Sequence, residues 1–223
     1  MSGMREIGWW MDPVPRAGPE AMAVDEWLLK HAEIPLLRVY PWAGDWASVG
    51  YFGEIQAARA SISGVNWVRR WTGGGAVDHR ADWTYSVIFP HTEPLARARG
   101  ALSYGVIHEA LGLALAAEGL ATCLSGGEAA NGDALCFSNP VGHDLIGDGG
   151  AKIAGAGQRR TKSGLLHQGS VAAGCADSVS RLRAQRLADG LASSSRELDF
   201  DIPDATLAPL IARYSCAVWT ERR

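Results

Sequence analysis

Residues 69–79 read Arg-Arg-Trp-Thr-Gly-Gly-Gly-Ala-Val-Asp-His. A strand-like stretch (Val65, Trp67, Val68) leads into two arginines, and three consecutive glycines follow. Three glycines cost backbone entropy in any ordered structure, so a chain keeps them where something approaches the main chain closely or where φ must be positive. Two guanidiniums beside such a loop offer planar, bidentate donors for a phosphate or carboxylate. A tight hairpin turn flanked by surface arginines explains the run as well. No Lys-Ser or Lys-Thr follows the glycines, which excludes a nucleotide P-loop. Their spacing is not that of a dinucleotide fingerprint either.

At 223 residues the chain fits one domain spanning 1–223, with 47% apolar and 20% charged residues, the composition of an ordinary globular protein with a sizeable core. The net charge of −3 gives no basic field for nucleic acid. No apolar run approaches the roughly 20 residues of a membrane span, and Glu6 and Asp12 among the N-terminal tryptophans do not read as a signal peptide. A cytoplasmic protein with no membrane or nucleic-acid partner, and a monomer, is expected. Cys123, Cys136, Cys175 and Cys216 form no Cys-x-x-Cys pair, so reduced thiols and no metal site are expected. Cys123 and Cys216, in apolar surroundings, read as core. Lysine occurs only at 30, 152 and 162.

Outward from the glycines, Pro19 and the following Glu-Ala-Met-Ala-Val-Asp-Glu-Trp predict a helix to about residue 32. Strands are predicted over 35–42, 47–52, 65–71 and 84–90, with a short helix over 54–60. Residues 100–119 predict the clearest helix, with Leu102, Val106, Ala110 and Leu113 on one face. Residues 125–150, rich in Gly, Asn, Asp and Pro, read as a long functional loop, mobile without ligand. Paired strands joined by Thr161-Lys162-Ser163 follow, then helices around 177–190 and 204–214. Strands with segregated helices indicate an α+β fold.

Three segments reinforce one another: the glycine run, Lys152-Ile-Ala-Gly-Ala-Gly-Gln and Leu166-His-Gln-Gly-Ser. In this order they resemble the biotin/lipoate A/B protein ligase family, as do Ala21-Met-Ala-Val-Asp-Glu and Leu37-Arg-Val-Tyr-Pro-Trp. The match runs over about 19–172. It implies a mixed β-sheet with packed helices, a class II aminoacyl-tRNA synthetase/biotin synthetase-like catalytic domain. It also implies attachment of octanoyl or lipoyl groups to a lysine of a carrier domain. Arg69, Arg70, Thr72, Gly73, Gly74, Gly75, Ala76, His79, Gly155, Ala156, Gly157, His167 and Gly169 are then substrate-binding positions. Trp42, Trp46 and Trp71 are candidate groove walls.

Transfer from a thioester favours a cysteine nucleophile, competent as its thiolate. Cys136, in Ala134-Leu-Cys-Phe-Ser-Asn-Pro, resembles the nucleophile of an octanoyltransferase branch common in Gram-positive bacteria, and Lys152 matches the family's active-site lysine. Cys175 does not sit where the other octanoyltransferase branch has its nucleophile. The resemblance thus implies a Cys136–Lys152 pair, with backbone N–H groups near Gly73–Gly75 or Gly155–Gly157 holding the oxyanion. Acyl carrier protein is the implied donor. A lipoyl carrier domain (glycine cleavage H protein or 2-oxoacid dehydrogenase E2) is the implied acceptor, and no cofactor is implied. Two alternatives stay open: an ATP- and Mg²⁺-dependent lipoate–protein ligase acting through an acyl adenylate, and a non-catalytic homologue that binds acyl groups or carriers. No C-terminal accessory domain of the ligase kind is expected. Asp78-His79-Arg80 and His143-Asp144 depart from the usual pattern of the family.

Overall fold

A computed structural model describes residues 3–126 and 142–222. In chain order these form β1 (Glu6–Met11), α1 (Gly18–His31), β2 (Leu36–Val39), β3 (Trp46–Val49), α2 (Ile55–Ser61) and β4 (Asn66–Arg69). Next come β5 (Ala76–Asp78), β6 (Trp83–Pro90), α3 (Pro94–Arg97), α4 (Gly100–Ala116), β7 (Cys123–Leu124) and β8 (Leu145–Ile146). After a 3₁₀ turn follow β9 (Lys152–Thr161), β10 (Gly164–Val171), α5 (Asp177–Leu191), β11 (Ser194–Glu197), α6 (Asp204–Ser215) and α7 (Ala217–Thr220).

The strands make an eight-stranded mixed sheet, ordered β11-β1-β2-β6-β10-β9-β8-β7, and a small sheet, β4-β3-β5. Side chains alternate across a strand, and the main sheet uses its two faces differently. Tyr85, Val87, Phe89 and Leu165 pack with Ile107 and Leu111 of α4 and Leu187 and Leu191 of α5. Ile88 and Leu166 face the other way, toward Met22, Leu28 and Leu29 of α1 and Leu207 of α6. That second face also holds polar groups: Arg38 bridges Asp12 (2.7 Å) and Asp25 of α1 (2.6 Å), all three fully or nearly fully buried.

Most predicted elements occur within a few residues. Five strands escaped prediction: β1 and β11, which pair in parallel at one edge of the main sheet, and the short β5, β7 and β8, the last of them inside the stretch read as a long loop. The predicted face of α4 is right at Val106 and Ala110 but wrong at its two leucines. Leu102 and Leu113 are exposed, at 57% and 72%, while Ser103, Ile107, Ala110, Leu111, Ala114 and Leu115 are buried. Small residues let the helix lie close to α5, where Ala110 meets Gly190 at 3.1 Å from an added Cβ, so bulk was a poor guide to the inner face. Cys123 and Cys216 are exposed, not core: one lies on a two-residue strand at the sheet edge and the other at the α6–α7 corner. Among the described residues no helix is long and apolar enough to cross a membrane.

The corrected α4 face has a direct check. Leu111→Ala is expected to lower the unfolding free energy by about 3 kcal/mol and Leu113→Gln to change it by no more than about 0.5 kcal/mol in urea titrations. Equal losses would contradict the assignment.

Candidate active site

A narrow cleft lies on the α1 face of the main sheet, between it and the small sheet. Met22, Trp42 and Val77 give it apolar walls, and the backbone of Gly155–Gly157 and Gly169 another. Ser48, Arg70, His79, Thr84, Gln168 and Ser170 add polar groups.

Glycines let the walls approach. A Cβ on Gly157 would lie 2.3 Å from the Gly73 carbonyl oxygen, and one on Gly50 would lie 2.0 Å from that of Gly74, both impossible without backbone movement. Gly74 has φ +97°, a conformation that favours glycine. The triglycine run is therefore a close-approach loop. Arg70 straps it, donating to the carbonyls of Gly73 (2.9 Å) and Gly75 (2.8 Å) and to Ser48 Oγ (3.0 Å). Thr72 Oγ1 donates to Gln168 Oε1 at 2.8 Å and ties the loop to β10.

Arg69 does not face the cleft. It is completely buried and donates to the backbone carbonyls of Gly50, Gly53, Thr220 and Arg222, binding the C-terminal segment to the β3–α2 corner. Successive residues of a strand point oppositely, so of the two arginines only Arg70 lines the cleft. Ala76 packs in the small apolar core with Ala47, Val49 and Ile55.

His79 lies in the cleft wall, stacked on Trp42 with centroids 4.1 Å apart. Both its ring nitrogens are engaged, Nε2 with Ser48 Oγ and Nδ1 with Asp82 Oδ2, each at 2.8 Å. Asp82 also accepts hydrogen bonds from Thr84 and Ser170. Of the other candidate tryptophans, Trp46 packs beside Gly18 of α1 and Trp71 lies under the guanidiniums of Arg159 and Arg213.

His167 occupies the opposite face of β10 from Gln168 and Ser170, fully buried beside Tyr85 (3.3 Å to its hydroxyl), Tyr104 and His108. Expected as a substrate-binding position, it lies away from the cleft lining. Burial, reinforced by His108 and Arg160, pushes its pKa well below the usual value, and burial lowers that of His108 to about 4.

Lys152, at the start of β9, is buried in an ion pair with Asp144 at 2.7 Å. A Cβ on Gly155 would lie 2.5 Å from Lys152 Nζ, so Gly155 gives the lysine its place behind the cleft wall. Tyr104 of α4 donates to Asp144 at 2.5 Å and accepts the Ala156 N–H at 2.8 Å. That amide already has a partner and is a poor oxyanion donor, contrary to expectation. Cys136 and residues 127–141 of the 125–150 loop expected to be mobile lie outside the described residues. Cys175 is half-buried, and burial raises its thiol pKa.

Sequence reading missed Met22, Ser48 and Asp82. It quoted Gln168 and Ser170 without using them, although period-2 alternation puts them on the face opposite His167.

Residues 18–184 match the model of the lipoyl protein ligase A/B catalytic domain. The chain belongs to this family. It is 32% identical over 234 residues to an octanoyltransferase LipM of Symbiobacterium thermophilum, covering 98% of this chain and 83% of that one. It is 35% identical over 167 residues to an octanoyltransferase LipM of Brevibacillus brevis, covering 67% of this chain but only 60% of that one. A crystal structure of lipoate-protein ligase A bound with ATP superposes with a TM-score of 0.73 at 20% identity, over 99% of both chains. The α+β architecture is thus that of the lipoate–protein ligases.

The two depressed histidines of this family member make stability depend on pH. Each binds its proton in the unfolded chain near pH 6.5 but resists it when folded, so stability is full above about pH 6.5 and falls below it. For His108 the loss runs from pH 6.5 to about 4, at up to about 1.4 kcal/mol per pH unit. In urea titrations at pH 7, 6 and 5, His108→Asn is expected to flatten this slope; an unchanged slope would refute the assignment.

Proposed function

We propose that this protein transfers an octanoyl group from acyl carrier protein to a lysine of a lipoyl carrier domain, through a thioester on Cys136. The observation that carries the reading is the buried Lys152–Asp144 pair packed behind Gly155, which lines an apolar cleft. Membership of the family and the octanoyltransferase relatives support the acyl class. The sequence around Cys136, 16 residues before Lys152, supports the nucleophile.

In the first half-reaction the Cys136 thiolate attacks the carbonyl of the octanoyl thioester. The positive charge of Lys152 favours the thiolate, and the lysine gives its proton to the departing thiolate of the carrier. The acyl chain lies in the cleft along Met22, Trp42 and Val77. In the second half-reaction the acceptor's lysine amine attacks the Cys136 thioester. Lys152 takes up the amine proton, and Cys136 leaves again as thiolate. Protons and charges balance over the cycle, and the route needs neither ATP nor a metal. The acceptor is a lipoyl domain such as the glycine cleavage H protein or a 2-oxoacid dehydrogenase E2.

Intact-protein mass after mixing with octanoyl-acyl carrier protein tests the reading. The wild type is expected to gain one octanoyl group, released by hydroxylamine, and Cys136→Ala none. Lys152→Ala is expected to slow acceptor modification about 100-fold or more. No adduct on the wild type, together with lipoate attachment that requires ATP and Mg²⁺, would establish the ligase route instead. Binding of acyl carrier without modification of any acceptor would mark a non-catalytic homologue.

A further inference from the structure

Helix α4 approaches the Lys152–Asp144 pair with two side chains one turn apart. Tyr104 holds the carboxylate directly, its hydroxyl 2.5 Å from Asp144 Oδ1, and is itself fixed by the Ala156 N–H at 2.8 Å. His108 holds the backbone, with Nδ1 2.7 Å from the His143 carbonyl, in the peptide that leads into Asp144. A carbonyl only accepts, so Nδ1 carries the proton. The other nitrogen, Nε2, is buried without a hydrogen-bond partner among the described residues, consistent with the neutral ring that burial enforces.

The segment being held is a constrained one. His143 has φ +70°, an uncommon conformation for a non-glycine residue. Its ring packs beside Gly105 of α4, where an added Cβ would lie 3.4 Å from His143 Nδ1, an ordinary contact distance. Ser125 closes the turn, donating its N–H to the Asp144 carbonyl (2.7 Å) and accepting the His143 N–H (2.9 Å). Asp144 is thus gripped through side chain and backbone alike. Both partners of its ion pair are almost fully buried, so the place of this carboxylate decides where Lys152 Nζ sits. Groups behind a functional side chain that fix its orientation commonly change activity by 10–100-fold when removed.

We propose that Tyr104 and His108 are positioning residues, which fix the Asp144 carboxylate and through it hold Lys152 Nζ beside Gly155 at the cleft wall. The functional weight of this clamp rests on the transferase reading, but its geometry is testable without turnover.

The chain contains three lysines, Lys30, Lys152 and Lys162, so acetic anhydride labelling of the folded protein, read by peptide mass spectrometry, reports Lys152 against two internal references. Tyr104→Phe removes one hydroxyl and keeps the ring that packs on His108 and His167. It is expected to raise Lys152 labelling about 10-fold or more relative to Lys30. In octanoyl transfer, kcat is expected to fall about 10–100-fold while KM for the acyl carrier stays within about two-fold. His108→Asn, which retains an N–H donor, is expected to restore much of what His108→Ala loses in both readouts, and this pair decides the matter if Tyr104→Phe does not fold. Tyr85→Phe deletes a fully buried hydroxyl, bonded to His167, and is expected to leave Lys152 labelling unchanged. No rise in Tyr104→Phe, or an equal rise in Tyr85→Phe, overturns the proposal. If the labelling contrast holds but the wild type transfers no octanoyl group, the transferase reading fails and the clamp stands.

Discussion

The guanidinium of Arg38 lies wholly inside the protein, and much of the rest is arranged around that fact. Burial works against its charge, but Asp25 and Asp12 outweigh it and hold its pKa above the ordinary value. A buried cation with one partner removed is strongly destabilising, so the β1–α1 connection, which supplies Asp12, and α1, which supplies Asp25, are both pinned to β2. Asp25 passes the constraint on. Its second oxygen accepts Ser86 and Gln168, each at 2.7 Å, and the Gln168 carbonyl takes the Thr72 hydroxyl. Arg38 is thereby connected to the glycine loop through side-chain hydrogen bonds alone. Such a chain fixes the height of α1 over the sheet more sharply than apolar packing, which is non-directional.

That fixed height is what allows a narrow cleft. The glycine loop approaches β9 backbone to backbone, Gly73 against Gly157, and Arg70 takes up two of the loop's carbonyls. A side chain at Gly157 would force the two apart and open the slot. Polar residues around it are engaged with one another: His79 with Ser48 and Asp82, Trp42 with Thr84, Thr72 with Gln168. Polar groups already partnered demand little from a ligand, which leaves the apolar surfaces of Met22, Trp42 and Val77 free to select an apolar ligand by shape.

The sequence displayed this architecture unevenly, for physical reasons. Helix α1, strand β6 and the β9–β10 pair were legible because their apolar residues follow one period and their ends carry proline, glycine or a polar turn. The edge strands were not. Ser194–Glu197 has no apolar alternation, and its outward Arg196 and Glu197 pair with Glu6 and Arg181, as suits an exposed edge that must not recruit another strand. On α4 the large leucines misled because small residues make the close contact with α5. For the site, motif reading found the loop and Lys152 but could not tell Arg69 from Arg70. Both stand in the same run, and only the strand's alternation sends one to the cleft and the other to backbone carbonyls of the C-terminal segment. The role of Asp144 was equally hidden, because Tyr104 comes from a helix 40 residues away and the turn that brings Lys152 back onto Asp144 follows no helical or strand period.

Two buried ion pairs therefore frame the cleft, and they use one device. In each, a carboxylate is oriented by a neutral hydroxyl, Ser86 for Asp25 and Tyr104 for Asp144, and then presents itself to a cation. The difference lies in what the cation does next. Arg38 offers its donors to Asp12, Asp25 and the Ala21 carbonyl and serves the frame. Lys152 carries a compact charge on a flexible stem, set where Gly155 leaves the wall thin. Arginine suits permanent charge in a planar fork, whereas lysine suits a site where a proton is exchanged. The chain has many arginines and three lysines, yet a lysine occupies the second pair. That choice of residue, more than the ion pair itself, separates the second pair from the first.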